Sequence, residues 1–360
     1  MNLSLLLIMS SVIAFSYWLE EHTRWVAHIS GVLLIIIIAS ILGNSGLVPA
    51  SDNAYGMHIK SIMLLGIVLM LFAFNPINIL RVNKDFIFCF FIGAVSTTIG
   101  GLIAGLIFKT ILPEDYWRIS AQFTASFIGG YENAVSVSSA LNTPIDVFLK
   151  TFAGDSVLTT FWIIINIFQG RNIKTTSANV NLQDSNMENI ASPVDVASLA
   201  ITVTMALAIF GISTYIHAYL PNIPEIVIAS VLATLITFTP LRLRFSSSYI
   251  IGSFGLSYFI FVCGAITNIS SLFNSSIILI LFPATIVLIH AIILFSVAKL
   301  FKIKKEIVII TSQSLIGGPA TALAVVSSRK WNYQFEAITL GLLGYALGNY
   351  FGFAAAWILK

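Results

Sequence analysis

Ten long apolar segments with almost no charge inside them constrain this chain more than any other feature. They fall at about residues 2–18, 29–48, 57–75, 86–112, 146–168, 194–218, 224–240, 249–267, 275–298 and 334–359. A helix needs about 20 apolar residues to cross the ~30 Å hydrocarbon core of a bilayer. The breaks hold turn formers and charge: Pro49, Asn75-Pro76, Pro113-Glu114-Asp115, Pro221 and Pro240. Only 9% of the 360 residues are charged and 58% are hydrophobic. Soluble domains carry about 25% charged residues, so a chain this apolar takes the bilayer as its solvent. The expected class is an all-α polytopic membrane protein with the lipid bilayer as its partner. A net charge of +3 is too small to point to nucleic acid. Cys89 and Cys263 lie inside apolar runs without metal-ligand or CxxC spacing and read as small core hydrophobes. The first segment has no basic residue ahead of it and no small-residue cleavage site, so it reads as a retained helix.

Two further segments, at about 117–141 and 306–328, interrupt their own apolar pattern in nearly the same words. The first contains Ser126-Phe-Ile-Gly-Gly-Tyr-Glu-Asn-Ala-Val-Ser-Val-Ser-Ser139, the second Ser314-Leu-Ile-Gly-Gly-Pro-Ala-Thr-Ala-Leu-Ala-Val-Val-Ser327. The offset is 314 − 126 = 188, and seven of the fourteen aligned positions are identical. The same shift carries segment 86–112 onto 275–298. Each half therefore reads as four spans, a Gly-Gly segment and one more span. The polar stretch between them becomes a linker. The expected division is a first repeat at 1–168, a cytoplasmic linker at 169–193 and a second repeat at 194–360.

Each Gly-Gly segment has room for two arms of ~12 residues, and an arm of ~18 Å reaches about the middle of the hydrocarbon core. If these segments are re-entrant hairpins, each half has five spans and the halves are inverted. One side then carries thirteen of the eighteen basic residues, and Lys60, Lys109, Arg118, Lys150 and Lys360 lie on the other. If the segments cross instead, the division is twelve to six, so charge does not choose between the two. Inverted repeats around a midplane site are a common transporter plan, which favours hairpins. The richer side is then cytoplasmic, and both termini lie outside. The expected location is the bacterial inner membrane.

Few ionisable groups lie deep. Asp155 sits near the centre of segment 146–168, Glu132 follows the first Gly-Gly, and His290 is mid-span. An acid at bilayer depth costs roughly 2.5–3.5 kcal/mol, so it normally faces a cavity, a partner or an ion. Asp155 is the candidate coupling site, with Ser156 beside it and Asn349 at the pseudo-equivalent place in the second half. Their oxygens suit Na⁺ near Asp155, and a lone carboxylate equally suits a proton. His290 has no counterpart in the first half and reads as structural. Candidate substrate-binding residues at the first break are Ser126, Gly129, Gly130, Tyr131, Glu132 and Asn133. At the second they are Gln313, Ser314, Gly317, Gly318, Pro319 and Thr321. The glycines permit a tight turn and close backbone approach. The arm after each break starts a helix whose free N–H groups favour an anionic group on the solute. No buried arginine marks a dicarboxylate site. Glycines at four-residue spacing, Gly101/Gly105 and Gly344/Gly348/Gly352, read as packing seams.

The stretches Ser126–Asn142, Ala153–Trp162, Ser314–Ser328 and Leu343–Gly352 resemble the uncharacterised bacterial membrane proteins typified by YjcL, a family of unknown function. The resemblance covers most of the chain. It implies a place in the cation–proton antiporter and anion transporter superfamily. The plan is similar to that of sodium-coupled glutamate and citrate symporters, with paired Gly-Gly hairpins. Gly129, Gly130, Gly317 and Gly318 would be hairpin tips, and Asp155 and Asn349 core polar residues. The chain departs from that plan at Tyr131-Glu132-Asn133.

The expected function is a secondary transporter moving a small anionic organic solute with Na⁺ or H⁺, without a cofactor and with a homodimer as the candidate assembly. The alternative is a cation/proton exchanger without an organic substrate. An intramembrane enzyme fits less well. Gly154-Asp155 matches part of an intramembrane aspartyl protease motif, but position 152 is Phe where glycine is required, and no second span has a central aspartate. The expectation is therefore that the protein is not an enzyme.

Overall fold

The computed structural model describes residues 3–23, 31–49, 55, 58–171, 173, 195–221, 223–245, 247–266 and 277–360. Among them the protein is all helical, with fifteen α-helices and one 3-10 turn at Pro240–Arg244. The first half runs α1 (Leu3–His22), α2 (Gly31–Asn44), α3 (His58–Leu71), the single turn α4 (Pro76–Ile79), α5 (Lys84–Phe108), α6 (Tyr116–Ser126), α7 (Tyr131–Ala140) and α8 (Ile145–Gln169). The second runs α9 (Val196–Tyr219), α10 (Glu225–Thr237), α11 (Ser248–Ile266), α12 (Ile278–Leu300), α13 (Lys305–Ile316), α14 (Gly318–Arg329) and α15 (Gln334–Leu359). The expected linker lies mostly outside the described residues.

Seven of these helices, α1, α5, α8, α9, α11, α12 and α15, are long and apolar enough to cross a membrane. The other three expected spans are shorter than their apolar runs. Helices α2 and α3 have 14 residues and α10 has 13. Punctuation shortens them: Gly46 turns the chain at φ 76°, Asn75-Pro76 stands after α3, and Pro224 and Pro240 flank α10. A 14-residue helix is only about 21 Å long.

Several starts are written in the sequence. The Asn83 side chain accepts from the Asp85 amide at 2.9 Å and opens α5. Asp195 opens α9 by accepting from the Ser198 amide at 2.6 Å and the Ser198 hydroxyl at 2.9 Å. The Ser198 amide, and then its hydroxyl, hold the exposed Asp195 carboxyl below its ordinary value of 3.8. A carboxyl lowered in the folded state stabilises the fold above its ordinary value, and that contribution is lost as pH falls through the lowered one. Asp195→Ala should therefore lower the thermal midpoint slightly at pH 7, and the difference from the native chain should shrink as both are melted at successively lower pH below the ordinary carboxyl value of 3.8.

Contacts sort the helix ends into two poles. Helices α5 and α12 lie antiparallel: Phe88 meets Phe301 at one end and Phe108 meets Phe282 at the other, with ring centroids 5.0 and 5.2 Å apart. Between them a Cβ on Gly100 would press on the Ile286 backbone. Tyr116, at the start of α6, donates to the Leu359 carbonyl at the end of α15 over 2.7 Å. Arg118 donates to the carbonyl of Leu141, just past α7, over 3.4 Å. So α6 begins and α7 ends at the same pole. At the opposite pole, Tyr333, which follows α14, packs edge-on against Phe86 at 5.3 Å. Helices α3 and α11 are also antiparallel, with Gly66 against Gly252 and a Phe72–Phe245 stack at 4.2 Å. In lipid such seams are held by close packing rather than by water exclusion, which is why small residues line them.

Candidate functional site

The two Gly-Gly stretches meet inside the protein. The Gly129 amide donates to the Leu315 carbonyl over 2.8 Å. Gly129 and Gly130 have φ of 131° and 146° and Gly318 has 72°, values that L side chains rarely adopt. Gly317 is an ordinary −129°, so the two breaks are not conformational copies. A Cβ on Gly318 would collide with the Gly129 carbonyl, and one on Gly129 with the Gly344 carbonyl. Helix α15 passes both breaks on a stripe of glycines: Gly341 lies against Pro319, Gly344 against Gly129, and Gly348 against Asn133 and Ile128. Neither α7 nor α14 has a side-chain cap at its start.

Polar groups collect around this junction. Ser126 donates to Asp155 Oδ2 over 3.0 Å, while Asp155 Oδ1 is buried with no hydrogen-bond partner. The matching serine of the second stretch, Ser314, donates to the Ala337 carbonyl at 3.2 Å. Each repeat serine thus ties its arm to the last span of its own half, but only the first finds a carboxylate. Glu132, 6% exposed, accepts from the Tyr345 hydroxyl on Oε1 at 3.3 Å, and its Oε2 has no partner. Asn133 donates to the Ile128 and Gly344 carbonyls at 3.2 and 2.9 Å, fastening the first break to α15. Gln313 donates to Thr321 at 3.0 Å across the second break and accepts from Asn166 of α8 at 2.9 Å. Tyr131 packs edge-on against Phe152 of α8, centroids 5.6 Å apart. Ser156 only bonds back to the Phe152 carbonyl of its own helix, at 3.1 Å. Asn349 is buried with Oδ1 unpartnered, and no hydrogen bond among the described residues joins it to Asp155.

The whole arrangement falls within the part of the chain that a known family shares. The sequence profile of the family described as "Protein of unknown function (DUF819)" matches residues 6–360. This chain belongs to that family. It is also 25% identical over 371 aligned residues to the uncharacterized membrane protein YjcL of Bacillus subtilis (strain 168), an alignment covering 96% of this chain and 93% of that relative. With seven helices able to cross a bilayer, this DUF819 protein is an integral membrane protein.

The DUF819 protein has a second polar network that single-residue reasoning passed over. His290 of α12 is fully buried. Its Nε2 shares a hydrogen bond with Ser312 of α13 at 2.9 Å, and its Nδ1 lies 2.9 Å from the Thr97 hydroxyl of α5. Trp162 of α8 donates to the same Ser312 oxygen at 3.1 Å. One serine thus joins three helices beside the second break, and His290 ties in a fourth, α5. The signal was available as spacing. Thr151, Asp155, Trp162 and Asn166 recur at helical intervals along α8 and all four are buried. Helix α8 therefore carries a polar stripe past both breaks, and Asp155 is one member of it. Ser312→Ala strands the Trp162 N–H and His290 Nε2 together, and should cost about 1–3 kcal/mol in detergent-solubilised unfolding.

Unwound backbone at bilayer depth persists only where it is buried in protein or lines a cavity. Here two helix breaks touch, beside carboxylate oxygens with unfilled bonding capacity. Those oxygens can accept further hydrogen bonds or face a cation. Among the described residues, no three of His, Cys, Asp or Glu cluster as metal ligands.

Proposed function

We propose that this DUF819 protein is a secondary transporter moving a small organic solute, coupled to Na⁺ or H⁺, by alternating access. The observation that carries the reading is the contact of two glycine helix breaks, Gly129 against Leu315 and Gly318, beside buried Asp155 with its free Oδ1.

In this reading α6/α7 and α13/α14 are re-entrant hairpins of two inverted repeats, with tips meeting near the membrane midplane. Three things support it: the repeated order of elements, the antiparallel α5–α12 pair, and the shared pole at which α6 begins and α7 ends. Transporters of inverted-repeat plan place their sites at such broken helices. The plan also favours membership of the cation–proton antiporter and anion transporter superfamily. Asp155 and Ser126 would hold the coupling ion, with Ser156 and Asn349 completing that shell when the tips part. The cytoplasmic pole would be the one holding Arg81, Lys84, Arg171 and Lys299, with both termini outside, in a bacterial inner membrane. The spans away from the tips would form the scaffold and the interface of a homodimer. No cofactor and no enzymatic step are needed. An anionic solute rests on the helix N-termini alone, and the buried charge argues the other way.

The test is uptake. The purified chain in proteoliposomes should accumulate at least one member of a labelled panel of amines, amino acids and carboxylates under an inward Na⁺ or pH gradient. Accumulation should collapse when the gradient is dissipated. Gradient-driven Na⁺/H⁺ exchange with no uptake of any solute would transfer the protein to the exchanger class.

A further inference from the structure

Charge at the junction is one-sided. Glu132 and Asp155 are both buried, and among the described residues no lysine or arginine is. His290, the buried base, already has both ring nitrogens engaged with α5 and α13. The two carboxyl groups flank the first break: Asp155 accepts from Ser126, the last residue of α6, and Glu132 Oε2 lies beside Gly130. They approach because Tyr131, the neighbour of Glu132, packs on Phe152, one helical turn before Asp155 on α8. Each retains one oxygen with no partner, Glu132 Oε2 and Asp155 Oδ1. As carboxylates these groups lack a counter-charge. As carboxylic acids, the free oxygens lack a bonding partner. Either way burial leaves them costly, and a cation with N–H donors would satisfy both forms.

The walls favour such a cation. Three tyrosines gather at Glu132: Tyr131 precedes it in α7, Tyr345 bonds it, and Tyr249 stacks on Tyr345. Tyr249 and Tyr345 are stacked with centroids 6.2 Å apart, and the Tyr345 hydroxyl anchors Glu132 Oε1, turning Oε2 toward Gly130 at the first break. Tyrosine rings attract ammonium groups through their faces. A bare metal ion would make little use of them, and a carboxylate solute would face two like charges with no buried lysine or arginine among the described residues.

We infer that the solute bound at the first break carries an ammonium group, received by Glu132 and Asp155 within the tyrosine surround. The inference rests on the transporter reading for its setting and deepens it by giving the solute's charge.

Binding tests it without transport. The purified full chain in detergent is melted with ethanolamine, tetramethylammonium, neutral amino acids, succinate and citrate, each at matched ionic strength. Ammonium compounds should raise the midpoint as a saturating function of concentration, while succinate and citrate should not. Glu132→Gln, close in shape, should weaken ammonium binding about ten- to a hundredfold, the loss of one charged hydrogen bond. Tyr345→Phe, which keeps the ring and frees Glu132 Oε1, should weaken it less. Stabilisation by the dicarboxylate or tricarboxylate alone, by Na⁺ or K⁺ alone, or by no ammonium compound would overturn the inference. So would undiminished ammonium binding in a folded Glu132→Gln protein. None of these outcomes bears on whether a solute crosses the membrane, so failure here is distinct from failure in proteoliposomes.

Discussion

Gly129→Ala should leave little stable protein. At φ 131° an L residue is strained by about 1–3 kcal/mol. Its Cβ would also overlap the Gly344 carbonyl and the Tyr345 amide, which are backbone and cannot swing aside. Overpacking of that kind costs roughly another 1–3 kcal/mol. Together these come to about 2–6 kcal/mol, which reaches the lower end of the ~5–15 kcal/mol stability of a typical protein. The change would also push the tip away from Leu315 and weaken the Gly129 amide bond that joins the two breaks. The control is Gly211→Ala on α9, where a Cβ would meet nothing within 4 Å. Removing a helical glycine there should be neutral or stabilise by up to about 1 kcal/mol. Unfolding midpoints of the two variants in one detergent check the contrast. Equal stability would mean that Gly129 is not packed against the backbone of α15.

Asp155→Asn should do the reverse: keep the fold and abolish coupling. Asparagine has nearly the same shape, and its side-chain oxygen can still accept from Ser126. Neutralising a buried, half-satisfied acid removes a desolvation cost, so the melting temperature should hold or rise. The ion loses its one charged ligand on α8, which should weaken it by about 1.5–3 kcal/mol, roughly ten- to 150-fold in affinity. Gradient-driven accumulation should then fall to the level of empty liposomes, while exchange of solute down its own gradient persists at lowered solute affinity. A variant that accumulates solute as the native chain does would remove Asp155 from the coupling site. Glu132→Gln should lower solute affinity and leave the response to the ion gradient in place, whereas Asp155→Asn should disturb both, since Asp155 faces the ion and the solute's ammonium group.

Much of this architecture was legible in the sequence because it depends on local signals. The apolar runs gave the helices to within a few residues, since turn formers such as Asn75-Pro76 and Pro240 act where they stand. The paired Gly-Gly stretches were visible as a repeat, and the breaks fall at those residues. Helix length was less legible. Apolar residues continue past the ends of α2 and α10, so hydropathy alone overextends them. Partner choice was not legible. Asn349 aligns with Asp155 by repeat position, yet Ser126 is the residue that reaches the carboxylate, because α6 rather than α15 lies against that turn of α8. Ser312 looked like one polar residue among several, and its role as the junction of Trp162 and His290 is set by three helices that are distant in sequence. Signals that bear on the solute's charge divide in the same way. Helix N-termini can be read from a sequence, but the burial of two carboxyl groups without a buried lysine or arginine appears only in three dimensions.

Accessibility of the tips from the two sides of the membrane tests most directly whether the paired breaks form an alternating-access site. Ala320, exposed at the start of α14, offers the reporter position. Ala320→Cys would be placed in a chain whose two buried cysteines, Cys89 and Cys263, are replaced by alanine. Oriented vesicles are then treated with a membrane-impermeant thiol reagent on either side. The expected result is labelling from both faces, with the ratio shifting when Na⁺, pH or a bound solute is changed. Labelling from one face only, at a rate indifferent to every ion and solute, would contradict it.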